Sequence, residues 1–221
     1  TILNNKFFVI FLMPFLLGLV TIFGFSPYNF TLVNFFTFSI LLFFIFLIKK
    51  KTFSTYRKKK SNRYFFYLGS SFGFGFFLFG NYWISISLTH DEIFKNLIPF
   101  ALILIPLFLS LFFGLSILLV GRFSEKKIYF ILLFSLTFSI FEYLRGNIFT
   151  GFPWNLISYT WSSSSECIQI LSLIGSYSLS LISLTFFCIP FLFLQKKIIR
   201  KNIIFFLFFL SLFTVNYFYG M

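Results

Sequence analysis

Glu142 and Arg145 stand three residues apart in the phrase EYLRGNIFTGFPWN, residues 142–155. Here an acid, a base, two glycines, a proline and a tryptophan interrupt an otherwise apolar chain. On a helix this spacing puts both charges on one face. That face has two uses. One is an interfacial ion pair that anchors the helix end. The other is lipid recognition, with Arg145 meeting a phosphate and Glu142 orienting it or contacting a headgroup ammonium. Gly146 can end the helix and Gly151 permits a turn. Pro153 pushes Phe152 towards an extended backbone, and Trp154 suits the headgroup level of a bilayer. Glu142, Arg145, Gly151, Phe152, Pro153 and Trp154 are therefore the candidate substrate-binding residues of an ordered interfacial loop.

Other reactive side chains are few. His90 is the only histidine, and in THDE it reads as part of a solvated turn. With no second His beside it, it makes no metal cage. Lys95, Glu166 and Cys167 have the types needed for nucleophilic catalysis. They come from different loops, however, and Cys167 enters an apolar helix with no activating motif beside it. Cys167 and Cys188 form neither a metal spacing nor a disulfide framework. No phosphate-binding glycine loop, GxSxG elbow or HExxH occurs. No catalytic residue, metal ligand or cofactor is expected within these residues.

The elements that must carry the loop are apolar. The chain is 59% hydrophobic and only 10% charged, where a soluble domain carries about 25% charge. It reads as an all-α integral membrane protein, with one transmembrane helical domain over 1–221. Spanning takes about 20 apolar residues. Seven stretches qualify: 7–25, 30–48, 64–88, 97–120, 128–144, 168–194 and 202–219. The first is a true helix, not a signal peptide, since GFSPYN makes a turn into the second and no small-residue cleavage site follows. The abundant Phe accompanies Lys, Ile and Asn, as in AT-rich coding, and replaces Leu against lipid. Gly69 and Gly73, followed by Gly75 and Gly80, give the third stretch a small-residue face that lets an acyl chain or, as the preferred reading, another helix approach the backbone closely. Trp83 follows near the outer interface.

The net charge of +13 does not point to nucleic acid, because the bases lie in short clusters between apolar runs. With the N-terminus in the cytoplasm, every Lys and Arg except Lys95 and Arg145 falls on the cytoplasmic side, as the positive-inside rule demands. Asp91, Glu92, Glu142 and Glu166 fall on the other. The 142–155 phrase and the C-terminus then share the extracytoplasmic face.

Several of these pieces resemble one family, the bacterial apolipoprotein N-acyltransferases. FGFSPYNF at 23–30 resembles the turn between the family's first two helices. GFGFFLFGNYWISISL at 73–88 resembles its glycine-rich third helix. EYLRGNIFTGFPWNLISYTW at 142–161 is similar to its Glu-x-x-Arg-Gly…Gly-Phe-Pro-Trp…Tyr signature. IQILSLIGSYSLSLI at 168–182 resembles the helix that follows, with Gly175 and Tyr177 in familiar places. NYFYG at 216–220 looks like the run before the family's catalytic domain.

The resemblance implies an enzyme of the bacterial inner membrane. It moves an acyl chain from a phospholipid donor to the α-amino group of the diacylglyceryl-cysteine that begins an apolipoprotein acceptor. It also implies a nitrilase-like catalytic domain with a Glu-Lys-Cys triad, expected after residue 221 and absent here. No position matches those motifs, so the chain alone is expected to be inactive, and from its opening Thr1 it is expected to be a piece of a longer protein. The alternatives are a non-enzymatic membrane scaffold and a small transporter. Pro14, Pro99, Pro106 and Pro190 could kink the helices of a transporter, yet no charge stands at a helix centre where transport usually needs one.

Overall fold

The computed structural model describes residues 5–51, 58–90, 92–123, 127–148, 151–194 and 200–221. Thr1, Arg57, Asp91, Lys126, Lys196 and Lys197 lie outside the described residues, as do Phe149 and Thr150 of the polar phrase.

Apolar runs in lipid have no water to bond their backbone, so they close their own hydrogen bonds as helices. The described residues contain helices and no strands. The path opens with a π-turn at Phe8–Leu12, α1 at Met13–Thr21 and a 3₁₀ turn at Ile22–Gly24. It continues through α2 (Val33–Lys51), α3 (Lys58–Gly80), α4 (Ile84–Ser87), α5 (Ile98–Arg122) and α6 (Lys127–Asn147). After the polar loop come α7 (Ser165–Ile168), α8 (Leu171–Phe187), α9 (Pro190–Phe193) and α10 (Arg200–Gly220).

Among the described residues, five helical stretches are long and apolar enough to cross a bilayer: Val33–Lys50, Glu92–Arg122, Ile128–Asn147, Leu171–Phe193 and Arg200–Gly220. Phe8–Gly24 is apolar but shorter. The third predicted stretch, 64–88, is helical only to Gly80; a turn at Asn81 separates it from α4. Glycine is a poor helix residue and readily ends one. The sixth, 168–194, is also interrupted. Gly175 has φ +76° and ψ 166° inside α8, and a turn at Cys188–Ile189 precedes Pro190. Only glycine adopts the first conformation without strain.

The chain folds as two compact units, Thr1–Ile22 with Phe44–Arg122, and Phe23–Phe43 with Phe123–Met221. In the first, α1, α3 and α5 pack through glycines. A side chain at Gly18 would strike the Phe72 carbonyl, and one at Gly69 would lie 2.6 Å from the Phe113 carbonyl. Gly73 faces Ser110 and Phe113, while Gly121 faces Phe65. Position 69 thus meets 113–117 and position 73 meets 110, so α3 and α5 are antiparallel. By the same reading α1 and α3 are parallel: Phe11 meets Tyr67, Phe15 meets Phe74, and Gly18 meets Phe76. The Gly69–Gly73 face serves helix packing.

In the second unit the front of α2 packs with α6 and α8 through Phe38, whose ring meets those of Phe134, Phe138 and Phe187. Phe130 faces Phe191 of α9 and Tyr143 faces Tyr177 of α8, so the α8–α9 run is antiparallel to α6. Phe193 of α9 faces Phe206 and Phe186 of α8 faces Phe213, so the α8–α9 run is antiparallel to α10 too. The end of α6, the start of α8 and the end of α10 consequently gather at one end of this unit. The polar loop lies there. Asn216 Nδ2 donates to the Cys167 carbonyl at 2.9 Å, and Gly220 rests on the Glu166 backbone, where a side chain would not fit.

Candidate functional site

Both charges of the 142–155 phrase are inside the protein. Glu142 is 0% and Arg145 1% exposed. An arginine near a helix end usually reaches for the interface. Here the loop after α6 folds back over the guanidinium. Arg145 Nη1 donates to the carbonyl of Phe152 at 3.0 Å and to that of Trp154 at 2.8 Å. In the opposite direction the Phe152 N–H donates to the Arg145 carbonyl at 2.9 Å. Hydrogen bonds to a charged group contribute about 1.5–3 kcal/mol each. The side chain is a clamp between helix and loop.

Glu142, one turn earlier, takes the other end of the loop. Its Oε1 accepts from the Ile157 N–H at 3.0 Å. Next to it, the Ser158 N–H donates to Ser180 Oγ on α8 at 3.0 Å. The acid and the base therefore grip residues 152–157 from below, and their first role is to shape the loop. The backbone needed for this is unusual at two points. Gly151 has φ +74°, and a Cβ there would lie 2.5 Å from the Gly146 carbonyl; Asn155 has φ +54°. Asparagine tolerates that region better than most residues.

Further anchors come from elements that the sequence reading did not assign to the site. Trp161 Nε1 donates to Ser183 Oγ at 2.8 Å, and its ring stacks on Phe187 and tilts against Phe213. Thr31 Oγ1, ahead of α2, donates to the Thr160 carbonyl at 2.8 Å. Tyr177 packs its ring on Tyr143 and its hydroxyl against Gly146, leaving no space for a side chain there. Tyr177, Ser180 and Ser183 recur at intervals of three along α8. That period was the available signal.

The pinned loop presents a different surface outward. Trp154 is 53% exposed, Pro153 is exposed, and Gly151 and Phe152 are half-buried. Tyr159 stands 36% exposed nearby, its phenol pushed above the usual range by burial and by the neighbouring Tyr177 and Glu142. Beyond it, Ser164 caps α7: its Oγ accepts from the Cys167 N–H and donates to Glu166 Oε2. Bonds from its own backbone N–H and from Ser164 hold the Glu166 carboxyl below its ordinary range. Cys167 is half-buried and Cys188 buried, neither in a disulfide. Among the described residues no three His, Cys, Asp or Glu side chains converge to hold a metal ion.

Such an arrangement can hold an apolar or amphipathic molecule against a stiff aromatic ledge. The resemblance carried by that ledge extends through the chain. Residues 17–189 match the apolipoprotein N-acyltransferase N-terminal domain. The apolipoprotein N-acyltransferase of Rickettsia typhi is 38% identical over 169 residues, covering 76% of this chain and 32% of that protein. Its counterpart in Rickettsia bellii is 45% identical over 116 residues, covering 52% and 23%. That of Brucella melitensis is 34% identical over 137 residues, covering 62% and 26%. The chain spans about a third or less of the length of these curated relatives. Because the match runs from α1 to the far end of α8 and takes in the clamped loop, the chain belongs to the apolipoprotein N-acyltransferase family.

Proposed function

We propose that this chain is the membrane part of an enzyme that moves an acyl chain from a phospholipid to the N-terminal diacylglyceryl-cysteine of apolipoproteins, in the inner membrane of a bacterium. The reaction breaks an ester bond of the phospholipid, releases a lysophospholipid and forms an amide at the acceptor's α-amino nitrogen. The groups that make and break these bonds are not assigned to any of the 221 residues. The role of this part is placement. Glu142 and Arg145 hold the loop, while Gly151, Phe152, Pro153 and Trp154 border the mouth through which lipid reaches the reacting centre. Fixing two reactants in register can supply about 7–11 kcal/mol of a barrier at the most favourable, and a stiff loop retains more of it than a mobile one.

One observation carries this reading. Two fully buried charged residues direct hydrogen bonds to the loop backbone, and Trp154 stays outward on the loop they hold. Burying ionisable groups is costly, and here it yields one defined loop shape. The antiparallel order α6–α8–α10 and the gathering of the loop and the end of α10 at one end of the unit support alternating spans, which we read as seven. In that topology the N-terminus is cytoplasmic, and the loop and residue 221 are extracytoplasmic.

The test is reconstitution of the full-length protein in vesicles containing phospholipid with a labelled acyl chain and a diacylglyceryl lipopeptide. Lipid-dependent appearance of label on the peptide amine is expected. Solute uptake without transfer would replace this reading with that of a transporter.

A further inference from the structure

The first unit contains a groove that the clamped loop does not use. It lies between the entry to α1, the middle of α3 and the middle of α5, with a volume of about 420 Å³. Its walls are rings and aliphatic chains, among them Phe11, Phe15, Phe74 and Leu107, with Ser70 and Ser71 along one side. Phe11 is 39% and Leu107 49% exposed, so the groove opens to the surroundings of the helices.

The parallel packing of α1 and α3 defines its ends. The Phe11 ring meets Tyr67 at 5.8 Å and the Phe15 ring meets Phe74 at 6.0 Å. One helical turn back from Phe11 and Tyr67 brings Phe7 and Arg63 to the same level. Phe7 lines the groove, and Lys6 immediately precedes it. Lys6 and Arg63 are both exposed. The trough thus has aromatic walls along its length, and two exposed cations stand at the level of one of its ends.

This pattern fits an amphiphile with a negative head and a hydrocarbon tail. An α-helix is about 10 Å across and rises about 5.4 Å per turn, so a single turn would fill the whole volume. A thin chain fits along it. A phosphate supplies acceptors for lysine and arginine, and basic groups at a membrane surface favour anionic over neutral lipids. We propose that the groove binds one anionic phospholipid, an acyl chain lying along Phe11, Phe15 and Phe74 and the phosphate held by Lys6 and Arg63. The residues of this site all belong to the first unit.

The experiment uses the full-length protein, reconstituted in phosphatidylcholine alone or mixed with phosphatidylglycerol, with lipid retention after detergent extraction and the midpoint of thermal unfolding as readouts. Wild type should retain phosphatidylglycerol and unfold at a higher temperature in the mixture. The double variant Lys6→Glu/Arg63→Glu should retain about tenfold less and lose the shift. Ser71→Leu, which fills the trough and leaves the charges, should weaken retention as well. Lys201→Glu, exposed on α10 in the other unit, should behave as wild type. Equal stability of wild type in both lipids overturns the site. So does full retention by Ser71→Leu, or a loss in Lys201→Glu as large as in the double variant.

Discussion

Arg145 donates a 2.8 Å hydrogen bond to the carbonyl of Trp154, nine residues further along the chain. A buried guanidinium on α6 thereby sets where an exposed indole stands. Arg145→Lys keeps the charge but is shorter and loses the planar Nη1 group whose two N–H bonds reach the Phe152 and Trp154 carbonyls. Arg145→Ala removes both bonds to the loop carbonyls, each contributing about 1.5–3 kcal/mol. Hydrogen exchange of residues 151–157 should speed up in Arg145→Lys while α3 and α5 remain protected. Unaltered exchange in the loop would mean that the clamp contributes nothing.

Gly146 and Tyr177 should be energetically coupled. A methyl group at 146 meets the Tyr177 hydroxyl before any other atom. Gly146→Ala is expected to destabilise by about 1–3 kcal/mol, as overpacked sites do. Tyr177→Phe removes the colliding atom, so the double variant should recover part of that loss. Thermal unfolding in detergent of the four proteins gives the cycle; strictly additive losses would place the strain elsewhere.

Much of the helical scaffold was legible in the sequence because lipid demands only apolarity and internal backbone bonding. Each apolar stretch contains a helix, and Gly69 and Gly73 face α5 as their spacing implies. The breaks were harder to see. Gly80 and Gly175 sit within continuous apolar runs, and only the backbone tells which glycine interrupts a helix. Glu142 and Arg145 stood out because charge is scarce, yet their burial was not legible. It depends on the loop turning back at Gly151 and Asn155, and asparagine permits positive φ without requiring it. Ser180 and Ser183 were missed for a related reason. A serine on an apolar helix usually bonds its own turn, and nothing in its identity marks it as a partner for Ser158 or Trp161.

Sidedness gives a prediction independent of activity. Ser163→Cys in the loop and Met221→Cys at the end of the chain, with Cys167 replaced by Ser, should both react with an impermeant maleimide applied to the extracytoplasmic face. Lys50→Cys should react only after the membrane is opened. Labelling of positions 163 and 221 from opposite faces would contradict the seven-span arrangement.

The most direct measurement concerns Trp154, whose ring is exposed enough to remove without disturbing the fold. In the full-length protein, the initial rate of acyl transfer from phospholipid to a diacylglyceryl lipopeptide should fall about tenfold or more in Trp154→Ala, with membrane insertion and thermal stability unchanged. A variant that transfers at the wild-type rate would contradict the assignment of this loop to the lipid entrance.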